Sequence, residues 1–240
     1  MSTLFRSVAL WSLLAAPALA GTSLEVAAEG DATGAAVRLL VAMTALAILP
    51  GLLLVMTPFT RFIIVFSLLR QALGLQQSPP NQVLIGMAVV LTLVSMRPTL
   101  EAVQRDAVVP YMEGQVTAVE AYDGFIGPMR TFMFRNTNRQ DLRTAMRIGR
   151  LETRPKSLDD IPTSSVITGF VLSELRTAFT IAIKVYLPFL VVDIVVASVL
   201  LGMGMMMLPP VVISLPFKLM VFVLMDGWGL LVVGLVDGVK

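Results

Sequence analysis

Apolar runs divide this chain into two apolar ends and a polar middle. Four runs are mostly apolar and carry few or no charges: residues 39–59, 83–96, 185–208 and 211–236. A helix needs about 20 apolar residues to span the core of a bilayer. A Pro-Pro pair separates the two runs at each end, and prolines interrupt helices. The pattern therefore predicts an all-α integral membrane protein with two helical hairpins, over residues 39–98 and 185–240.

The prolines also predict how these helices bend and turn. Pro50, beside Gly51, and Pro188 lie inside apolar runs, where a proline removes a backbone hydrogen bond and kinks a helix. The hairpin turns are expected at two pairs: Pro79 with Pro80, and Pro209 with Pro210. The run 83–96 has only 14 residues, so it is too short to cross a bilayer alone. We therefore expect long, kinked helices rather than four simple spans.

The first 20 residues have the pattern of a secretory signal peptide. A single positive charge precedes a short apolar stretch, and Ala18-Leu19-Ala20 provides the small residues of a cleavage site. We predict cleavage after Ala20, followed by a flexible lead over residues 21–38. The mature N-terminus then starts outside the cytoplasm. The segment with Arg61 and Arg70 lies inside, as the positive-inside rule prefers.

Residues 99–184 form a polar region with the composition of a soluble segment. They contain ten acidic and eleven basic residues. With the topology above, this helical region lies on the periplasmic side, since long loops are translocated regardless of their charge. Thr137, with Gln140 three positions later, fits a helix capping box. A long helix with one apolar face is expected to begin near Thr163.

A stripe of arginines follows the predicted capping box. Four of them recur at helical spacing on one face: Arg139, Arg143, Arg147 and Arg150. Leu142 and Met146 lie on another face, which predicts packing against the rest of the protein. A solvated surface is the simplest interpretation of the stripe. Docking against an acidic partner or against lipid headgroups is the alternative.

Composition supports a membrane protein and excludes several functional classes. The chain is 56% hydrophobic with a mean hydropathy of +0.84, and 14% of its residues are charged, against about 25% in soluble domains. It has no Cys and no His, which excludes disulfides, thiolate metal sites and Ser-His-Asp catalysis. The net charge of +2 is too small for a nucleic-acid binder, and no Gly-rich phosphate loop occurs. We predict a protein that is not an enzyme and that uses no metal or cofactor.

Charged residues inside the apolar runs indicate contacts with protein or water rather than with lipid. Asp193, Lys218 and Asp226 would each cost roughly 2.5–3.5 kcal/mol at a lipid-exposed helix centre. We expect them to form a buried charge network with Glu174 and Arg176 of the preceding helix segment. Pairing of Lys218 with Asp193 or Asp226 across the hairpin is one interpretation. An ion-coupled transporter that uses these three charges is the other, since interrupted helices also suit transporters.

A methionine-rich stretch lies between the last two apolar runs. Four methionines occur there, next to Gly202 and Gly204 and before the second proline pair: Met203, Met205, Met206 and Met207. Methionine is unbranched and flexible, so several copies can close around irregular shapes and reopen. Glycines let the backbone bend at such a point. Core packing in a membrane helix and a deformable seal both fit this composition.

Several motifs at the two apolar ends are long and ordered. They include Thr60-Arg61-Phe62-Ile63-Ile64-Val65, Gln76-Gln77-Ser78-Pro79-Pro80-Asn81-Gln82, Ser173-Glu174-Leu175-Arg176-Thr177-Ala178-Phe179, Pro188-Phe189-Leu190-Val191-Val192-Asp193, Met205-Met206-Met207 and Ser214-Leu215-Pro216-Phe217-Lys218. Over about residues 57–98 and 163–230 the chain resembles the FliP family of flagellar type III export-gate proteins. The basic stripe is not part of this resemblance.

The resemblance implies a role in flagellar biosynthesis and protein export. It implies five copies of the chain in a helical ring that, with FliQ and FliR, forms a gated conduit for unfolded flagellar polypeptides. FlhB, FlhA and the basal-body rings are further expected partners. The expected location is the bacterial inner membrane, in the basal body, with much of the mass on the periplasmic side. Met205, Met206 and Met207 are implied as a pore gasket, with Gly202, Met203 and Gly204 as its hinge or as further parts of it.

Overall fold

The structure of the protein is a computed structural model that describes residues 32–150, 157–158, 160–205 and 208–240. The predicted signal peptide, the first part of the predicted lead, and Met206 with Met207 lie outside these residues. Every regular element in the described ranges is helical. The chain divides into two compact units, residues 1–53 and 54–240, and each is described by itself.

The described part of the first unit is helical and belongs to α1 (Ala32–Val55), which contains Pro50. Apolar side chains such as Leu40, Met43 and Ile48 are exposed along α1. A helix that is apolar on all sides is typical of contact with lipid or with other protein. The apolar run 39–59 does not form one helix, because α1 ends at Val55 and the next helix begins at Phe59.

The second unit is a series of helices whose ends follow the prolines and polar turns. In chain order they are α2 (Phe59–Ala72), α3 (Asn81–Ser95), α4 (Arg97–Val103), α5 (Val109–Met112), α6 (Ala118–Asn136), α7 (Arg139–Ile148), α8 (Thr163–Gly202), α9 (Pro210–Leu224) and α10 (Gly227–Asp237). A π-helical turn, Gln104–Val108, joins α4 to α5. Prolines occupy the first turns of α4, α5 and α9, where their missing N–H group costs no helical hydrogen bond.

The long helix α8 is the element around which the second unit is built. It begins at Thr163, as predicted, and continues for 40 residues through Pro188. At 1.5 Å per residue it is about 60 Å long, twice the thickness of a bilayer core. Helices α2, α6, α7 and α9 all pack against it. One helix therefore passes from the polar middle of the chain into its apolar end.

Two hydrophobic clusters fill the second unit. The first joins α2, α3, α8, α9 and α10, and its aromatic pairs are Phe66–Trp228, Phe189–Phe222 and Phe222–Trp228. The second joins α4, α6 and α8 around Phe132 and Phe170, whose ring centroids are 5.9 Å apart. Leu142 and Met146 pack against the second cluster, as the predicted face of α7 requires. The second cluster thus holds the first turns of α8, and the first cluster holds its middle, from Ala178 to Phe189.

Membrane-length helices are fewer than the apolar runs suggest. In the part of the chain that the structure describes, α8 is the one single helix that is long and apolar enough to cross a membrane. Three pairs of consecutive helices, each bent at a short break, also pass this test as pairs. Counting each pair as one span gives up to four spans. Helix α3 and the segment Arg97–Met112 meet at 67°, and α9 and α10 meet at 62°. The apolar run 211–236 is therefore interrupted, at Asp226, whose φ of 49° is left-handed.

The helix ends correct one prediction. Asn138, not Thr137, caps α7, since its side-chain oxygen accepts a hydrogen bond from the Gln140 N–H at 2.9 Å. The Thr137 hydroxyl instead donates to the Met133 carbonyl at 2.6 Å, in the last turn of α6. Residue type and spacing in the sequence place a helix cap only to within a residue or two. An unpredicted but complete capping box lies at Thr117 and Glu120, before α6.

Candidate functional site

Helix α8 contributes one residue to each of three ion pairs. Glu174 pairs with Arg61 of α2, Arg176 pairs with Asp141 of α7, and Asp193 pairs with Lys218 of α9. The predicted single network of charges is therefore divided into separate junctions along the helix. Each junction joins α8 to a different neighbour, and the partners Arg61 and Asp141 were not among the predicted site residues.

The Arg61–Glu174 pair is the most deeply buried of the three. The Arg61 Nε donates to Glu174 Oε2 at 2.8 Å and Nη2 donates to Oε1 at 2.5 Å, which is a bidentate contact. The third guanidinium nitrogen, Nη1, donates to the Gly238 carbonyl at 2.8 Å. The two side chains are only 3% and 1% exposed. A planar guanidinium can satisfy a buried carboxylate and a carbonyl at once, whereas a lysine ammonium lacks this geometry.

The Arg176–Asp141 pair fixes α7 against α8. Arg176 Nη2 lies 2.7 Å from Asp141 Oδ1, and the Ser173 hydroxyl donates to Asp141 Oδ2 at 3.0 Å. The backbone N–H of Asn138 donates to the same Ser173 oxygen at 2.8 Å. Asp141 is 2% exposed, but Arg176 is 53% exposed. The predicted burial of Arg176 is therefore wrong for its own side chain, although the carboxylate it pairs with is buried.

The Asp193–Lys218 pair joins three helices. The Lys218 ammonium lies 2.5 Å from Asp193 Oδ2 and also donates to the Ala72 carbonyl at 3.0 Å. The Ser214 hydroxyl donates to Asp193 Oδ1 at 2.6 Å. Ala72 is the last residue of α2, so the cation also meets the negative end of that helix dipole. Of the two predicted partners for Lys218, the structure selects Asp193.

Asp226 does not join the other charges. It is exposed, it precedes the first residue of α10, and it forms no ion pair with any residue that the structure describes. A Cβ atom added at Gly229 would collide with its carboxylate. The structure therefore removes Asp226 from the predicted buried network. An exposed acid at a break between two helices is not buried in an apolar surrounding, so it needs no buried partner.

The methionine-rich stretch begins as the C-terminal end of α8. The N–H groups of Met203, Gly204 and Met205 donate to the carbonyls of Val199, Leu201 and Leu200, each at 3.0 Å. Gly204 has a φ of 75°, which favours glycine. The backbone of Met203 thus caps the helix. The side chains of Met203 and Met205 are exposed, and the predicted gasket residues Met206 and Met207 lie outside the described residues.

A proline of each predicted turn pair directly precedes a helix of the second unit. Pro209 precedes the first residue of α9, Pro210, and Pro80 precedes the first residue of α3. Arg70 holds the earlier turn, with Nη1 donating to the Pro79 carbonyl at 3.2 Å and to Asn81 Oδ1 at 2.7 Å.

The segment that leads from α2 towards the earlier prolines lies beside the start of α9. A Cβ atom added at Gly74 would lie 3.3 Å from Leu215 and 3.8 Å from Val211, both of α9. The segment after α2 is therefore packed against the helix that follows the methionine stretch.

The charged side chains of this region form structural contacts between helices. No set of three or more Asp, Glu, His or Cys side chains within the described ranges is placed to hold a metal ion. Among the described residues, each buried charge forms an ion pair with a residue of another helix. The chemistry that remains exposed near the turn is the thioether of Met203 and Met205.

The fold and these junctions define an all-α membrane protein whose helices are fastened by internal ion pairs. The profile described as "FliP family" matches residues 42–235, and the chain belongs to the FliP family. Three relatives carry the name flagellar biosynthetic protein FliP. The Bacillus subtilis (strain 168) protein is 46% identical over 84% of this chain and 90% of its own. The Borreliella burgdorferi protein is 42% identical over 86% of this chain and 82% of its own. The Treponema denticola protein is 49% identical over 81% of this chain and 72% of its own.

Proposed function

We propose that this protein is a channel subunit of the flagellar type III protein export apparatus. Membership of the FliP family supports this role, as do the names of its relatives, which describe flagellar biosynthesis. The proposed site is the bacterial inner membrane, in the flagellar basal body, as a multi-pass protein. The polar middle, residues 99–184, lies on the periplasmic side in this proposal. The apolar segments on either side of it act as two helical hairpins.

The end of α8 carries this proposal. A helix of 40 residues terminates in a glycine-containing turn with two exposed methionines, and the next helix starts only at Pro210. Met205, Met206 and Met207 form the gasket, because flexible thioethers from several copies can seal against ions and yield to a passing chain. Gly202, Met203 and Gly204 form the hinge that leads into it. The three interhelical ion pairs hold the helices that support the turn.

The conduit requires more than one chain. In the proposed assembly, five copies form a helical ring with FliQ and FliR, and FlhB, FlhA and the basal-body rings contact that core. Exposed apolar side chains on α8 and α9 support contacts with such neighbours or with lipid, and Phe179, Ile183 and Val212 are examples. Unfolded flagellar polypeptides are the cargo. The protein itself catalyses no reaction in this proposal.

An ion-coupled transporter is the weaker candidate. It would use Asp193, Lys218 and Asp226 as exchangeable sites. Asp193 and Lys218 already satisfy each other and two further groups, Ser214 and the Ala72 carbonyl. Asp226 is exposed and separate from them. Charges that are fully engaged in helix junctions favour a structural role over ion binding.

Native mass spectrometry of the complex from membranes tests the proposed function. The expected result is a particle with several copies of this chain together with FliQ-like and FliR-like subunits. A protein that is extracted only as a single chain and that moves a small solute when reconstituted alone would support the transporter instead.

A further inference from the structure

The arginine stripe of α7 is an exposed basic surface. Arg139, Arg143 and Arg147 are exposed, and none of them forms an ion pair with a residue in the described ranges. They lie on the side of α7 opposite Asp141 and Ala145, which are buried against the protein. Nothing in the resemblance to the FliP family assigns them a role. Solvated basic faces are common on helices, but the packing of α7 favours a docking surface.

Helix α7 is held rigidly along the first half of α8. Besides the Asp141 junction, a Cβ atom at Gly169 of α8 would lie 3.1 Å from the Leu142 Cα. A Cβ atom at Gly149 would lie 3.1 Å from the Ser165 hydroxyl. Backbones that approach this closely leave little freedom for α7 to move. The stripe is therefore a pre-organised surface with a fixed direction.

The direction of the stripe argues against a lipid surface as its partner. The start of α7 contacts Ser173 and Arg176, and its end contacts Ser165, so it runs antiparallel to α8. α8 is the described helix that is long enough to cross a membrane. A stripe parallel to a spanning helix stands upright on the membrane, over about 12 Å from Arg139 to Arg147. One layer of headgroups reaches at most one end of it.

A complementary surface occurs on the same chain. Glu113, Glu120 and Asp123 are exposed around the start of α6, and no cation in the described residues pairs with them. Exposed apolar and aromatic side chains are their neighbours in the sequence, namely Tyr111, Met112, Val119 and Tyr122. Tyrosine, methionine and arginine are the residue types enriched in protein interfaces. We call these residues the acidic patch.

We propose that the arginine stripe of one copy docks on the acidic patch of the next copy. The inference rests on the proposed ring of copies and assigns two surfaces to its contact. Stripe and patch are different surfaces of one chain, so their contact is head-to-tail. A head-to-tail contact generates a ring or a helix rather than a closed dimer. The opposite charges set the register between neighbours, as charges at interfaces commonly do.

Cysteine cross-linking in membranes tests this contact directly. The chain has no native Cys, so every thiol in a variant chain is an introduced one. The full chain with Asp123→Cys and Arg143→Cys, expressed with its natural partners, is expected to give covalent multiples of this chain under a short thiol cross-linker. Either single variant should stop at dimers or below. Asp123→Cys with Ile148→Cys is the matched control, because Ile148 is exposed on α7 but away from the stripe.

The proposed contact would be overturned if the variant with Asp123→Cys and Arg143→Cys stayed monomeric after cross-linking. A cross-linked product that contains a different protein would overturn it as well. Native mass spectrometry of the same unlinked sample separates this failure from a failure of the ring. Several copies in the particle without cross-linked multiples would reject the surfaces and leave the ring intact.

Charge exchange provides a second test that does not depend on cross-linking geometry. Arg143→Asp or Asp123→Arg alone replaces an attraction with a repulsion, and we expect the assembled fraction to fall by about fivefold. The double variant restores the attraction with the charges reversed, and we expect it to recover most of that fraction. Equal losses of the assembled fraction in the double and single variants would contradict the pairing. The helical circular-dichroism signal of the single variants is the control, because an unchanged signal excludes misfolding as the cause of the loss.

Discussion

The Lys218 ammonium donates to the carbonyl of Ala72 at 3.0 Å, where α2 ends. The same ammonium pairs with Asp193, so one side chain of α9 fastens the last turn of α2 and the second half of α8. The first turns of α9 follow directly on the methionine stretch. The junction therefore fixes α9 against α2 and α8.

Removing the Lys218 ammonium should destabilise the protein strongly. Lys218→Ala leaves a carboxylate and a helix-terminal carbonyl without their cation, a change that costs about 3–5 kcal/mol for a buried pair. Asp193 is 27% exposed, which places the expected cost at the lower end of that range. The measurement is the midpoint of thermal unfolding of the purified protein in detergent.

The double variant Lys218→Met with Asp193→Leu is the control for this prediction. It removes both charges and keeps apolar volume, so it should be more stable than Lys218→Ala. A double variant that is less stable than the single one would mean that the pair contributes more than mutual neutralisation.

The Arg61–Glu174 junction should tolerate no substitution of its guanidinium. Arg61→Lys keeps the charge but loses the bidentate contact and the bond to Gly238, so we expect unfolding at clearly lower temperature. Arg61→Ala should cost about 3–5 kcal/mol. Arg97→Ala is the matched control, because the Arg97–Glu101 pair is exposed and worth at most about 1 kcal/mol. Equal effects of Arg61→Ala and Arg97→Ala on thermal unfolding would contradict the burial of the first pair.

The capping box before α6 should make that helix sensitive to acid. Hydrogen bonds from the backbone N–H and the hydroxyl of Thr117 lower the pKa of Glu120. Its contribution to stability is therefore present above the unfolded pKa of about 4.3 and is lost as the pH falls through the lower folded value. Glu120→Gln should weaken the loss of stability between about pH 5 and pH 3. Identical acid unfolding curves for the variant and the parent protein would contradict this role.

Two glycines of α6 should respond in opposite ways to alanine. A Cβ atom at Gly124 would collide with the backbone oxygen of Asp106 in the π-helical turn, and a backbone atom cannot rotate away. Gly124→Ala should therefore cost about 1–3 kcal/mol. A Cβ atom at Gly127 would meet nothing within 4 Å, so Gly127→Ala should stabilise by about 0.4–1 kcal/mol. Thermal unfolding distinguishes the two, and a stabilising Gly124→Ala would contradict the close packing of α6 on that turn.

Local sequence signals were enough to predict the class of fold and several helix ends. Apolar runs, proline pairs and the free energy of burying charge predicted apolar helices, the start of α8 at Thr163 and a partner for Lys218. Each depends on neighbouring residues or on a cost that any buried charge incurs. The signal peptide, the periplasmic side of the middle region and the gasket role stay predictions.

Long-range partners could not be predicted in the same way. Arg61 was interpreted only through its charge and its place beside an apolar run, because Glu174 is 113 positions away in the chain. Asp141 was likewise missed as the partner of Arg176, since polar residues on a soluble-like helix are ordinarily solvated. The break at Asp226 escaped notice because a left-handed residue inside an apolar run leaves no mark on its hydrophobic pattern. Packing between distant segments decides all three.

Ion flux through reconstituted complexes tests the methionine gasket most directly. Met205→Ala, Met206→Ala and Met207→Ala are combined in one chain and assembled with its partners in vesicles, with Met220→Ala of α9 as the control, since Met220 is exposed away from the turn. We predict a clear rise in small-ion leak for the triple variant, no rise for the control, and continued export of flagellar polypeptides in cells that carry the triple variant. A triple variant that assembles fully and leaks no more than the parent complex would contradict the central claim.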